Sequence, residues 1–517
     1  MSSNKGQVKG AAKQAAPDAS PDSFEQSSKL AFELHNAGRT AEAEALCRVL
    51  LQIRPQDGQV LFLLGMVLHK AGRDNEALGW LSLASQYHPE AARIFHGLGC
   101  VYQGLEDHKH AVAALEKAIQ LDPQSPAPYY HLGLNCYWLE QVERAVSLFR
   151  RAVQINPQDS KSWNNLGKCL KELNQLDESI EAYNRALEIE PGYGLVRYGR
   201  AVSLLMAGRM AEGFKEYESR WHSMPRRQFS EPQWKGESAP GKTLFVHAEQ
   251  GYGDAIQMVR FIRLARERVG HVILECRPEL TALFEYSKCA DIIIPYGAPA
   301  PAFDYYLPSS SFPYALGIVM ETISSQTPYL HAPPHATLTP QPRQLKVGLV
   351  WAGNPSHHQD AARSLCLQDL APILNVPNVA FYSLQQSVPA RDQACVAFLS
   401  GTLNTNLKFK DYLETASAVN AMDLVISVDT SVAHLAGALG KPVWTLIQHS
   451  PDWRWLLNRT DSPWYPTMKL YRQAERNRWE SPIAQIAEDL RRLATGNTLS
   501  LPDLQPHLHA VNLAATA

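Results

Sequence analysis

The sequence has no C-x-x-C pair, and its eight cysteines are scattered without a spacing that suggests a disulfide framework. That excludes a disulfide-stapled secreted scaffold and fits a reducing, cytoplasmic setting. Long apolar runs are missing too. The longest, such as Leu61–Leu68, fall far short of the roughly 20 residues that span a bilayer. No dense Lys/Arg block is present and the formal net charge is -2, so no nucleic-acid footprint is indicated. Residues 1–23 are polar and alanine-rich without an apolar core, which reads as a disordered lead and not a signal peptide. At 517 residues the chain is too long for one hydrophobic core, and two or three domains are expected.

What the sequence does have is a ruler. Prolines stand at Pro55, Pro89, Pro123, Pro157 and Pro191, each 34 residues after the last. Between them, small residues recur where two helices would cross closely: Leu98–Gly99, Ala111 and Ala118; Leu132–Gly133, Ala145 and Ala152; Leu166–Gly167 and Ala186. Large ones, such as Phe149, Trp163 and Tyr183, would fill the gaps. This pattern resembles the tetratricopeptide repeat family over residues 24–227 and implies an all-α solenoid of helix–turn–helix units. Such a solenoid presents a concave face to peptide or protein segments. Its last helix carries Glu216, Tyr217, Glu218 and Trp221, and reads either as a cap on the stack or as a dock onto the next domain.

From Thr243 the pattern becomes α/β. Short β-prone runs at Thr243–Glu249, His271–Cys276, Asp291–Pro295 and Tyr305–Leu307 are separated by helical stretches at Ala255–Arg268 and Glu279–Ser287. The Pro-rich segment Thr327–Pro342, with Pro328, Pro333, Pro334, Pro340 and Pro342, then interrupts the chain, and residues 329–345 are read as a linker. A second series has strands at Lys346–Trp351, Val379–Leu384, Leu424–Val428, Val443–Ile447 and Met468–Tyr471. Helices are expected at Leu367–Leu374, Asp411–Met422, Ser431–Leu439 and Pro482–Ala494. Two Rossmann-like halves, 228–328 and 346–497, with a cleft at the carboxyl ends of their strands, are the expected architecture. A weakly structured tail, 498–517, completes the chain.

Three segments could carry chemistry. In His247-Ala-Glu-Gln-Gly251-Tyr-Gly253-Asp254 a strand runs through two glycines into a helix. Free N–H groups there favour an anion, and Asp254 could act as a helix-start carboxylate or as a general base. The full dinucleotide fingerprint is absent, since Ile256 replaces its third glycine. In Trp351-Ala-Gly-Asn354-Pro-Ser-His357-His358 and Asp360-Ala-Ala-Arg363-Ser364, Arg363 could clamp a phosphate or carboxylate. The paired histidines lack a regularly spaced third ligand, so no metal site is expected there. In Asp429-Thr430-Ser431-Val-Ala-His434, Thr430 or Ser431 could cap a helix whose first N–H groups suit a diphosphate. A fourth stretch, Asp452-Trp453-Arg454-Trp455 with Trp464-Tyr465, reads as a packed loop or as a stacking surface for a base or sugar.

Taken together, Asp429-Thr-x-x-x-His434 with Ala436, Gly440 and Pro442 resembles the nucleotide-sugar motif of the heptosyltransferase-like glycosyltransferases of family 9. Gly253-Asp254 resembles that family's Gly-Asp motif, whose aspartate is assigned as catalytic base. The combination of His247-Ala-Glu-Gln-Gly, Trp351-Ala-Gly-Asn-Pro-x-His and Glu216-Tyr-Glu-x-x-Trp221 looks like bacterial proteins that fuse tetratricopeptide repeats to such a domain. The resemblance implies a GT-B fold and metal-independent sugar transfer, and the sequence holds no Asp-x-Asp pair. It implies Asp254 and Arg363 as catalytic residues. It also implies a nucleotide-sugar donor held by Gly251, Gly253, Asn354, His357, Asp429, Thr430, Ser431 and His434, with no resident cofactor.

The expected function is therefore sugar transfer to a protein acceptor selected by the solenoid, a plan shared with O-linked N-acetylglucosamine transferases and bacterial flagellin glycosyltransferases. A cell-surface glycan acceptor and a non-catalytic scaffold with a remnant transferase domain are the alternatives. The chain departs from a plain heptosyltransferase in its solenoid, in a short first α/β half, and in lacking an evident lysine after the first strand of the second half. Self-association through exposed repeat faces stays open.

Overall fold

The structure is a computed structural model that describes residues 21–323, 326–336, 338, 344–357 and 359–495. The expected lead before Pro21, much of the linker and the expected tail lie outside the described residues. The chain divides into two compact units, residues 1–192 and 193–517.

The first unit is built from five helix pairs: α1 (Pro21–Asn36) with α2 (Thr40–Ile53), α3 (Gly58–Lys70) with α4 (Asp74–Tyr87), α5 (Ala92–Gly104) with α6 (His108–Leu121), α7 (Pro126–Trp138) with α8 (Val142–Ile155), and α9 (Ser160–Glu172) with α10 (Leu176–Ile189). The 34-residue period has a direct physical meaning. A Cβ built on Gly65, Gly99, Gly133 or Gly167 would lie 2.4–3.0 Å from Leu81, Leu115, Phe149 or Tyr183 respectively. A residue without a side chain is thus needed wherever the second helix of a pair crosses the first. Each turn between paired helices passes through a left-handed residue (Gly38, Gly72, Glu106, Glu140 and Asn174), which satisfies the last carbonyls of the first helix. First helices of successive repeats touch one another (α3 with α5, α5 with α7, α7 with α9), and more closely than successive second helices do. The stack therefore curves with its first helices on the inside.

The second unit opens with one more helix pair, α11 (Gly194–Met206) and α12 (Met210–Tyr217), and a 3-10 turn at Glu218–His222. The boundary between units thus falls ahead of residue 227, where the repeat pattern alone suggested it. The reason is the burial of this pair's end in the α/β region. Arg220 is fully buried and donates to both oxygens of Glu249 at 2.8 and 3.0 Å, to Glu218 at 2.8 Å and to Ser311 at 2.8 Å. The Phe214 and Tyr217 rings pack edge-on against Trp453.

Two parallel sheets come next. The first contains β1 (Lys242–His247), β2 (Gly270–Cys276), β3 (Ile292–Pro295) and β4 (Tyr305–Pro308) in the order β3-β2-β1-β4. Its crossover helices are α13 (Tyr252–Met258) and α14 (Ile262–Val269), joined by a 3-10 turn at Val259–Phe261, and α15 (Pro278–Tyr286). The single helix expected over Ala255–Arg268 therefore starts earlier and is tightened at its centre. The second sheet contains β5 (Leu345–Val350), β6 (Val379–Ser383), β7 (Leu403–Asn404), β8 (Leu424–Val428), β9 (Val443–Ile447) and β10 (Met468–Arg472), ordered β10-β9-β8-β5-β6-β7. The two-residue β7 had no legible pattern. β8 and β9 are buried along their whole length, as continuous apolar runs between two layers of helices should be. The described start of the linker is anchored: Leu330 is fully buried, and Tyr329 and Leu330 donate backbone hydrogen bonds to the Ala438 carbonyl. The architecture is an N-terminal helical repeat solenoid followed by an α/β region of two parallel sheets, as in the GT-B plan. Among the described residues no helix is long and apolar enough to cross a membrane.

Candidate active site

Topology decides where the site lies. In the first sheet the chain moves from β1 out to β3 and returns to β4 on the other side of β1; in the second it moves from β5 out to β7 and returns to β8. The loops after β1 and β4, and after β5 and β8, therefore diverge at the carboxyl ends of central strands and leave a crevice there. Those loops hold the candidate segments read from the sequence. Ser310 N, after β4, donates to Glu249 at 2.9 Å, and Arg363, after β5, donates to the Asp429 carbonyl, after β8, at 3.1 Å.

At this edge two helix starts meet. α13 begins at Tyr252 with Gly251 at its N-cap. The helix Ser431–Ala438 begins after β8 with Thr430 at its N-cap. A Cβ on Gly253 would come within 2.9 Å of His434 Cδ2 and 3.6 Å of Ser431 Cα. Gly253 thus lets the two helices approach closely, whereas Gly251 is exposed at its turn. First-turn N–H groups have no partners within their own helix, so two partially positive helix ends converge at one place.

Asp254 sits between them. One carboxylate oxygen accepts from Gly251 N at 2.8 Å, and the other accepts from Arg454. Arg454 is buried, donates to Asp452 at 2.8 Å and lies over the Trp453 ring, 4.3 Å from its centroid. Arg454 was missed as a site residue because its partner lies 200 residues earlier in the chain. One signal was available: an arginine between two tryptophans is buried, and a buried arginine needs carboxylates. The surrounding aromatics settle the two readings of that stretch in favour of a packed loop, since Trp453, Trp455, Trp464 and Tyr465 are all buried.

His434 is a hub of that packing. Its ring stacks on Trp455 with centroids 5.1 Å apart, and Nδ1 shares a 2.8 Å hydrogen bond with the Tyr465 hydroxyl. Burial, reinforced by Arg454, Arg260 and Arg363, pushes its pKa well below the usual histidine value, so the ring is neutral. Asp429 behaves in the opposite sense. Burial and the neighbouring Asp452 charge raise its carboxyl to about 6, against the pull of Trp455, Arg363 and Arg454.

The expected side-chain cap is not made. Thr430 Oγ1 bonds Ser427 Oγ at 3.0 Å and Ser431 Oγ bonds the Tyr412 hydroxyl at 2.7 Å, because both hydroxyls find protein partners behind the helix start. The Ala433 and His434 N–H groups both donate to the Thr430 carbonyl, at 3.1 and 3.4 Å. Arg363 is held by Asp360 at 3.3 Å as well as by the Asp429 carbonyl. Asn354 and His357 lie in an exposed turn closed by its own hydrogen bonds, Ser356 N to Asn354 Oδ1 at 3.0 Å and Gln359 N to His357 Nδ1 at 3.2 Å. The structure therefore gathers Gly253, Asp254, Arg363, Asp429, Ser431 and His434 with Arg454, while Asn354 and His357 lie on the exposed turn that leads to Asp360, the partner of Arg363.

Models of the tetratricopeptide repeat match residues 34–98, 92–125 and 160–193. The model of glycosyltransferase family 9 (heptosyltransferase) matches residues 383–482, which include Asp429, His434 and Arg454 but not Asp254 or Arg363. Protein FlbA of Caulobacter vibrioides is 27% identical over 339 residues, 58% of this chain and 55% of FlbA. The chain thus spans about half the length of the curated relative it matches. Among solved structures, YrrB, described as a TPR protein with an unusual peptide-binding site, is 23% identical and covers 35% of this chain and 93% of its own, with a TM-score of 0.32. Pseudomonas aeruginosa pilF is 17% identical over 40% of this chain and 93% of its own, with a TM-score of 0.35.

Proposed function

We propose that this chain, which carries tetratricopeptide repeats and a glycosyltransferase family 9 domain, moves a sugar from a nucleotide-sugar donor to a protein acceptor selected by its repeats. The observation that supports this most is the meeting of two helix starts beside Asp254, Arg363 and Arg454. A diphosphate carries two negative charges. The start of the helix Ser431–Ala438 and the Arg363 guanidinium offer it positive partners.

As the bond from the sugar to the diphosphate breaks, the leaving oxygen takes the electron pair and its negative charge grows. Partners already oriented toward that oxygen stabilise the transition state more than the ground state. On the other side of the sugar, the acceptor hydroxyl oxygen forms the new bond to the anomeric carbon and gives its proton to Asp254. Arg454 and the Gly251 N–H fix the orientation of that carboxylate. Neutral His434 holds the helix start at its close distance without adding a charge of its own. Arg363 supplies positive charge that a divalent ion would otherwise bring to the diphosphate, whereas the charge of Arg454 is offset by Asp254 and Asp452.

The test is Asp254→Asn measured against UDP-, GDP-, dTDP- and ADP-linked sugars. Turnover, read as release of free nucleotide, should fall by about 10²–10⁴-fold, while donor affinity stays within a few-fold of wild type. Full turnover in the variant would remove Asp254 from the chemistry.

A further inference from the structure

We propose that the solenoid contains a binding site for a borderline-soft transition-metal ion, formed by His96, Cys100 and His131 on its inner face. His96 and Cys100 lie one turn apart on α5, and His131 projects from α7, the next first helix. One ligand atom from each residue lies within 4.8 Å of both others. Cys100 Sγ is 3.5 Å from His96 Nε2, and the two imidazole centroids are 5.1 Å apart. A tetrahedral ion with bonds of about 2.0–2.3 Å spaces its ligand atoms by roughly 3.5 Å, so small side-chain rotations close the triad on an ion.

The surrounding hydrogen bonds prepare the same atoms. His131 Nδ1 donates to Gln103 Oε1 at 3.2 Å, which leaves Nε2 as a bare lone pair. Gln103 Oε1 also accepts from Asn135 Nδ2 at 3.3 Å, and Asn135 Oδ1 accepts from His108 Nδ1 at 2.9 Å. This chain of amides fixes the His131 tautomer in the way that outer partners of metal-bound histidines do.

The repeats provide their own internal comparison. At the positions 34 residues away, His96 is replaced by Phe62 and Tyr130, Cys100 by Met66 and Leu134, and His131 by Gly97 and Asn165. Only between the repeats of α5 and α7 do three ligating side chains replace this apolar or small set together. Ordinary packing between repeats does not need them.

One thiolate and two imidazoles select Zn²⁺, Co²⁺ or Cu⁺ over Mg²⁺ or Ca²⁺. Binding replaces the Cys100 thiol proton, which leaves to solvent, with the metal–sulfur bond. Three protein ligands leave a fourth position for water. The site is independent of the sugar-transfer reading.

The experiment titrates the chelator-treated full chain with Co²⁺. A thiolate-to-cobalt charge-transfer band with an end point of one equivalent is expected, displaced by Zn²⁺, lost in Cys100→Ser and weakened at least tenfold in affinity in His131→Gln. Zn K-edge X-ray absorption on the wild-type chain, which depends on no variant folding, should count one sulfur and two imidazole ligands. Absence of the band, its persistence in Cys100→Ser, or a shell without one sulfur would overturn the proposal.

Discussion

The Asp429 carboxyl offers a quantitative check on the electrostatics of the site. It titrates at about 6 in the folded chain against an ordinary value of 3.8, because burial and the Asp452 charge disfavour its ionised form. A raised carboxylate pKa means that the folded state holds the proton more tightly. Its contribution to stability is then fully present below pH 3.8 and is lost as pH rises through about 6. Above that the ionised group costs about 3 kcal/mol, an upper value because the side chain is only partly buried. Asp429→Asn removes the charge while keeping shape, so the variant should gain on wild type as pH rises. The gap should be under about 1 kcal/mol at pH 4 and approach about 3 kcal/mol at pH 8. A shift of that size moves the melting temperature of an α/β region of this length by at most about 5 °C. The assay is thermal unfolding of both proteins at pH 4, 6 and 8, followed by tryptophan fluorescence. Any hydrogen bond that the amide fails to make costs the same at every pH and cancels from the slope. A gap that stays constant from pH 4 to pH 8 would refute the reasoning.

Three further outcomes are expected from the same geometry. Gly253→Ala places a methyl group against His434 and should cost about 1–3 kcal/mol by overpacking, whereas Gly251→Ala, whose Cβ meets only an Asp254 oxygen at 3.2 Å, should cost less than about 1 kcal/mol; paired thermal melts distinguish them. Arg220→Ala leaves Glu249 and Glu218 without their buried cation and should destabilise the second unit by about 3–5 kcal/mol, read as a loss in denaturation midpoint. Donor affinity should weaken as pH rises through about 6, because Asp429 becomes a charge beside the diphosphate, and this dependence should be flat in Asp429→Asn; calorimetric titration across pH 5–8 measures it.

Much of this architecture was legible in the sequence because it repeats or because it is local. The proline ruler and the glycines under Leu81, Leu115, Phe149 and Tyr183 are one-dimensional signals of helix crossings. The buried strands β5, β8 and β9 announce themselves as apolar runs. The site was legible only in part. Strand-to-helix turns marked Gly251–Asp254 and Asp429–His434, yet nothing local says that Gly253 faces His434 or that Arg454 closes on Asp254. Those contacts depend on how two sheets face each other. The hydroxyls of Thr430 and Ser431 fit a capping pattern by spacing, but Ser427 and Tyr412, brought near only by the fold, bind them first. The His96–Cys100–His131 triad was visible as a departure from the repeat pattern, but only once the inner face of the stack was known.

The measurement closest to the central claim is equilibrium binding of the same nucleotide-sugar panel to wild type and to Arg363→Gln. One donor should bind the wild-type chain, and Arg363→Gln should weaken that binding by about 10–100-fold through removal of a charged partner of the diphosphate. Failure of every donor to bind, or equal binding by both proteins, would contradict that claim.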